Sequence, residues 1–144
     1  MSEEDYKLIF DIIVEDEDPK IGASKVKRLL MEGIDPNAKN DKGFTPLFMA
    51  VNWDNYEITK TLIEGGADMN IRTRMNTPLG VALSRGNLDI IKLFVEMGGI
   101  IPESRLYHEI LSLKRYIPSL RTLAKRSIIK HKIYHYDISD VIFS

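Results

Sequence analysis

The sequence predicts an all-α solenoid, built from short helix–turn–helix units that are joined by hairpin turns and stacked side by side. Two observations predict it. Three landmarks recur with one period: Thr45-Pro46-Leu47 returns as Thr77-Pro78-Leu79 after 32 residues, Gly33-Ile34-Asp35-Pro36-Asn37 returns as Gly66-Ala67-Asp68-Met69-Asn70 after 33, and Leu29-Leu30 returns as Leu62-Ile63 after 33 and as Phe94-Val95 after a further 32. Between the landmarks, apolar residues fall at helical three- and four-residue steps. A unit of this length cannot bury both of its helices alone, so neighbouring units must pile against one another.

The elements follow in order. Residues 2–14 read as the first helix of an N-terminal cap, with Tyr6, Ile9, Phe10 and Ile13 inward, and residues 15–21 as a longer acidic loop. Residues 24–32 read as the cap's second helix, burying Val26, Leu29 and Leu30. Lys42-Gly43 is a hairpin tip. Thr45 and Thr77 each precede a proline, where a hydroxyl can cap a helix and the fixed proline φ suits its first turn. Leu47, Ala50 and Val51 then form one buried stripe, and Leu79, Ala82 and Leu83 repeat it. Second helices carry Ile58, Leu62 and Ile63, then Ile90, Ile91, Phe94 and Val95, with Gly65-Gly66 and Gly98-Gly99 ending them.

Past Gly99, Pro102 and Ser104 open another helix with Leu106, Ile110, Leu111 and Leu113 on its apolar side. Pro118 opens a last one. Leu120, Leu123, Ala124, Ser127 and Ile128 share one face there, and Arg121, Lys125, Arg126 and Lys130 cover the rest. The expected division is a repeat domain over 1–113 and a C-terminal helical segment over 114–144. The first comprises a cap at 1–39, full repeats at 40–72 and 73–101, and a divergent last unit at 102–113.

Composition sets the class of function. The 144 residues carry 44% hydrophobic and 28% charged side chains and a net charge of −1, so no global field points to nucleic acid or membrane. The absence of cysteine removes disulfides, thiolate metal sites and cysteine nucleophiles. The acidic N-terminus argues against a signal or transit peptide, and no apolar run approaches the roughly 20 residues of a membrane helix. The expected compartment is the cytosol or nucleus. Charge is uneven: residues 1–18 hold eight carboxylates against Lys7, and residues 110–136 hold seven Lys and Arg with no acid. Both read first as solvated helix faces and second as interaction tails.

The Thr-Pro-Leu triplets, their period and the glycine-ended second helices resemble the ankyrin repeat. The resemblance is close over 24–99, and 40–72 matches one repeat without a gap. The family's signature histidine after Thr-Pro-Leu stands here as Phe48 and Gly80, so its usual bonds between repeats are absent. The turn before the third repeat is one residue short, with Met75 where glycine is usual, and a distorted hairpin is expected. What the resemblance implies is a non-enzymatic module that binds a protein through its hairpin tips and first helices. On those positions stand Asp41, Lys42, Phe44, Asn52 and Trp53, then Arg74, Met75, Asn76, Ser84 and Arg85. Trp53 is either an exposed contact residue or a cover folded over Tyr56, and Phe44 poses the same choice.

Ser119-Leu120-Arg121-Thr122-Leu123-Ala124-Lys125-Arg126-Ser127-Ile128 resembles the first helix of a SOCS box. That resemblance implies docking to elongin B/C through Ser119, Leu120, Leu123, Ala124 and Ile128, and recruitment of a cullin ubiquitin ligase. Ala124 replaces the box's cysteine, and its cullin-selecting Leu-Pro-x-Pro element is absent. The alternative is a plain helix whose apolar face seals the last repeat. His131 and His135, four residues apart, lack a convincingly placed third metal ligand. The glycine pairs end helices and do not cradle phosphate. The expectation is therefore no catalytic residue, no metal and no cofactor, and nucleic-acid binding through 114–132 is the minor reading.

Overall fold

A capping side chain followed by proline starts three of the helices. Asp18 Oδ1 accepts from the Lys20 and Ile21 amides at 2.9 and 3.4 Å ahead of Pro19. Thr45 Oγ1 accepts from the Phe48 amide at 3.2 Å, and Thr77 Oγ1 from the Gly80 amide at 3.1 Å. The two threonines share one backbone conformation, φ −83° and ψ 158°.

The computed structural model describes residues 3–15, 17–74 and 76–97. Over these residues it shows six helices: α1 (Glu3–Glu15), α2 (Pro19–Met31), α3 (Pro46–Asn52), α4 (Tyr56–Glu64), α5 (Pro78–Arg85) and α6 (Leu88–Glu96). Helices α1, α3 and α5 pack in one row and α2, α4 and α6 in a second, and each unit pairs one helix from each row. This is the expected all-α solenoid. The readings for Gly98-Gly99, for the helices expected from Pro102 and Pro118, and for His131 and His135 lie outside the described residues.

One element differs from expectation. Helix α2 begins at Pro19, five residues before the expected start at 24, so residues 19–21 of the acidic loop expected at 15–21 are helical, and Glu15 belongs to the end of α1. The Asp18-Pro19 pair is the reason: it is the same cap-and-proline device that starts α3 and α5, set inside a run of acidic residues.

The core runs along the seam between the rows. Ile9, Val26, Leu47, Ile58, Leu62, Ile90, Ile91 and Phe94 are fully buried, each contributing roughly 1.5–3 kcal/mol. Ile12 joins them, while Tyr6, Phe10 and Leu30 pack half-buried at the margin. Helix α2 ends through Gly33 (φ +98°) and α4 through Gly66 (φ +95°), where the Ile34 and Ala67 amides return to Leu29 and Leu62 carbonyls at 3.2 and 2.9 Å. The end of α3 uses the same left-handed turn without glycine: Asp54 has φ 61°, and Gly86 stands there after α5 with φ 68°.

Candidate functional site

Two hairpins project ahead of α3 and α5. In the first, the Asn40 amide donates to the Phe44 carbonyl at 2.9 Å and the Gly43 amide to the Asn40 carbonyl at 2.8 Å. Asn40 Oδ1 accepts from the Lys42 and Phe44 amides at 3.1 and 3.0 Å. Gly43 supplies φ +80°, which leaves Asp41 and Lys42 exposed at the tip.

The second hairpin closes one residue sooner. The Thr73 amide and hydroxyl both donate to the Asn76 carbonyl, at 3.0 and 2.8 Å, and the Asn76 amide reaches Thr73 Oγ1 at 3.3 Å. The missing residue thus tightens the turn, with a threonine hydroxyl in place of the asparagine side chain. Arg74 is exposed on it; Met75 lies outside the described residues.

The absent signature histidine is answered differently in each unit. Phe48 is buried and stacks on half-buried Phe44, with ring centroids 4.8 Å apart and planes at 5°. At Gly80 a Cβ would collide with the Asn76 side chain, whose Oδ1 accepts from the Thr77 amide at 2.8 Å. Polar links between units stand elsewhere. Asn37 Oδ1 accepts from the Asp68 amide at 2.7 Å, Arg85 Nη2 donates to Asn52 Oδ1 at 3.2 Å, and Asn87 Nδ2 donates to Asp54 Oδ1.

Beyond the hairpins, at the far ends of α3 and α5, stand Asn52, Trp53, Ser84 and Arg85. Trp53 keeps 54% of its surface exposed, while Tyr56 packs half-buried against the core. Ser84 Oγ donates back to the Gly80 carbonyl at 2.9 Å. Lys39 and Arg72 are exposed on the residues just before the two hairpins. Sequence reasoning passed over them because their place is defined by the closing bonds at Asn40 and Thr73.

The buried polar side chains among the described residues are Thr45, Thr59 and Thr73, all uncharged. No described carboxylate or amine is withdrawn from water in the way acid–base chemistry exploits. Among the described residues no group of three or more His, Cys, Asp or Glu is placed to hold a metal ion, and no helix is long and apolar enough to cross a membrane. What the arrangement offers is contact surface. The elongin-docking set Ser119, Leu120, Leu123, Ala124 and Ile128 lies outside the described residues.

Comparison with known proteins agrees with this architecture. The family described as ankyrin repeats in three copies matches residues 20–105. An ankyrin repeat protein of fowlpox virus (strain NVSL) is 41% identical over 78 residues, which is 53% of this chain and 18% of the viral protein. The SMC5-SMC6 complex localization factor protein 1 of Bos taurus is 37% identical over 73 residues, 49% of this chain and 7% of that protein. The E3 ubiquitin-protein ligase KEG of Arabidopsis thaliana is 37% identical over 81 residues, 55% of this chain and 5% of that protein. The chain thus matches less than a fifth of the length of each of these relatives.

Proposed function

Because the chain belongs to the ankyrin-repeat family, whose members are generally non-enzymatic protein–protein interaction modules, we propose that it is an adaptor with two docking ends. The hairpin tips and the ends of α3 and α5 hold a protein target, and the C-terminal segment docks to elongin B/C and so brings a cullin ubiquitin ligase to that target. The observation carrying the first half is Trp53, a large apolar side chain left 54% exposed just past the end of α3, and a residue type typical of interface hot spots. The second half rests on the spacing of Ser119, Leu120, Ala124 and Ile128. Joining the two ends raises the effective concentration of one partner at the other, with no chemistry by the chain itself.

The test is co-purification of the full chain with elongin B/C. Leu120→Asp is expected to abolish capture while the repeats stay folded by circular dichroism. The amphipathic pattern of 118–130 also suits a second reading, a free-standing scaffold or inhibitor whose last helix caps the array. In that case wild type captures no elongin, and Leu120→Asp instead lowers the melting temperature, since a buried leucine contributes roughly 1.5–3 kcal/mol.

A further inference from the structure

We propose that the face formed by the two hairpins and the ends of α3 and α5 takes an extended, acidic segment of a partner protein, with an apolar or aromatic side chain of that segment against Trp53. The inference rests on the protein-binding reading above and adds the chemistry of what is bound.

Charge is the first observation. On the two hairpins, the residues just before them and the ends of α3 and α5, the exposed charged side chains are five cations, Lys39, Lys42, Arg72, Arg74 and Arg85, against the carboxylate of Asp41, in a chain whose net charge is −1. Asp54, next to Trp53, adds a second carboxylate that accepts from Asn87, and cations still outnumber acids on this surface. Among the described residues none of the five cations is in an ion pair, whereas Arg28 pairs with Glu32 at 3.3 Å and Lys92 with Glu96 at 3.9 Å elsewhere. Stacked helices lie about 8–10 Å apart. Cations repeated from unit to unit therefore sit within about one Debye length of each other at 0.1 M salt, and a ligand with spaced negative charges relieves their repulsion.

The exposed tryptophan is the second, independent observation. Trp53 and Arg85 occupy the same place in successive units, 32 residues apart. Arg85 is steadied by its bond to Asn52, so an aromatic platform and an oriented guanidinium stand side by side. An extended chain advances about 3.3–3.6 Å per residue, so acidic residues about three apart match the step between units. A continuous phosphate backbone fits less well, because Asp41 projects at the hairpin tip among the cations; a peptide can place a donor there.

Trp53 is the one tryptophan of the chain, so its fluorescence reports the face directly. The full chain is titrated with a synthetic peptide of about twelve residues bearing Glu at every third position and a central Phe, and with Gln-for-Glu and Lys-for-Glu analogues. The expected result is a Trp53 emission change with the acidic peptide and binding at least about tenfold weaker for the Gln analogue. Added salt weakens it. Arg74→Glu/Arg85→Glu, with its helicity checked, loses the acidic peptide and prefers the Lys analogue, and Lys92→Glu leaves binding unchanged.

Equal binding of the acidic and Gln peptides overturns the charge inference and leaves the protein-binding reading standing, whose own test is partner capture. The inference also falls if Trp53 gives no response at millimolar peptide, or if oligothymidylate binds more tightly than the acidic peptide. A peptide of the chain's own residues 1–18 that binds equally well, with concentration-dependent dimers in sedimentation, overturns it in favour of a second copy as the occupant.

Discussion

Asn76 and Gly80 act as one unit. The Asn76 carboxamide occupies the space a side chain at position 80 needs and caps the Thr77 amide from it. Gly80→Ala gains helix propensity, about 1 kcal/mol, but displaces that carboxamide and loses a hydrogen bond of similar worth. It is therefore expected to stabilise the chain by about 1 kcal/mol more in an Asn76→Ala background than in wild type, read as the coupling of a double-mutant cycle in urea. Thr45→Ala and Thr77→Ala each remove a helix cap and are expected to cost about 1 kcal/mol by the same measurement. The capping threonines are legible in the sequence because a cap needs neighbours three residues away. The Asn76–Gly80 exchange is not, because it depends on where a shortened hairpin delivers its last side chain. Phe44 is similar: its ring stack with Phe48 forms only when the hairpin folds back over α3.

Helix α4 packs against α2, α3 and α6 and buries Ile58, Leu62 and Ile63. Leu62→Ala is expected to cost about 2–5 kcal/mol, enough to populate the unfolded state of a marginally stable domain. Ile21→Ala, at a position 52% exposed on α2, is expected to stay within about 0.5 kcal/mol of wild type; thermal melts of the pair distinguish core from rim. At the start of α2, Asp18→Ala is expected to cost about 1 kcal/mol and to lower helicity, because the cap begins the helix five residues before position 24. That start is readable by the rule that places Thr45 and Thr77. It is masked by the acidic run, which draws the eye to charge and away from one carboxylate's local bonds.

The described array holds three helix pairs, close to the minimum for an independently stable stack. Each pair shares its buried side chains with the next, so no unit keeps a core after its neighbour is lost. Val26→Ala near one end and Ile90→Ala near the other are both fully buried changes. Both are expected to shift one common urea transition, with far-ultraviolet circular dichroism and Trp53 fluorescence coinciding. Separate midpoints for the two probes would show units unfolding one at a time.

By itself the sequence determined the helix pairs, their period, the buried stripes and the capping threonines, because these are local or periodic and recur at fixed steps along the chain. Tertiary structure alone decided which side chains meet between units: Asn37 with Asp68, Asn52 with Arg85 and Asp54 with Asn87, each 31 to 33 residues apart. It also decided that Trp53 stays 54% exposed and that Lys39 and Arg72 stand exposed just before the two hairpins. Stacking is the physical reason. It brings equivalent positions of successive repeats side by side, so residues one repeat apart along the chain become neighbours in space.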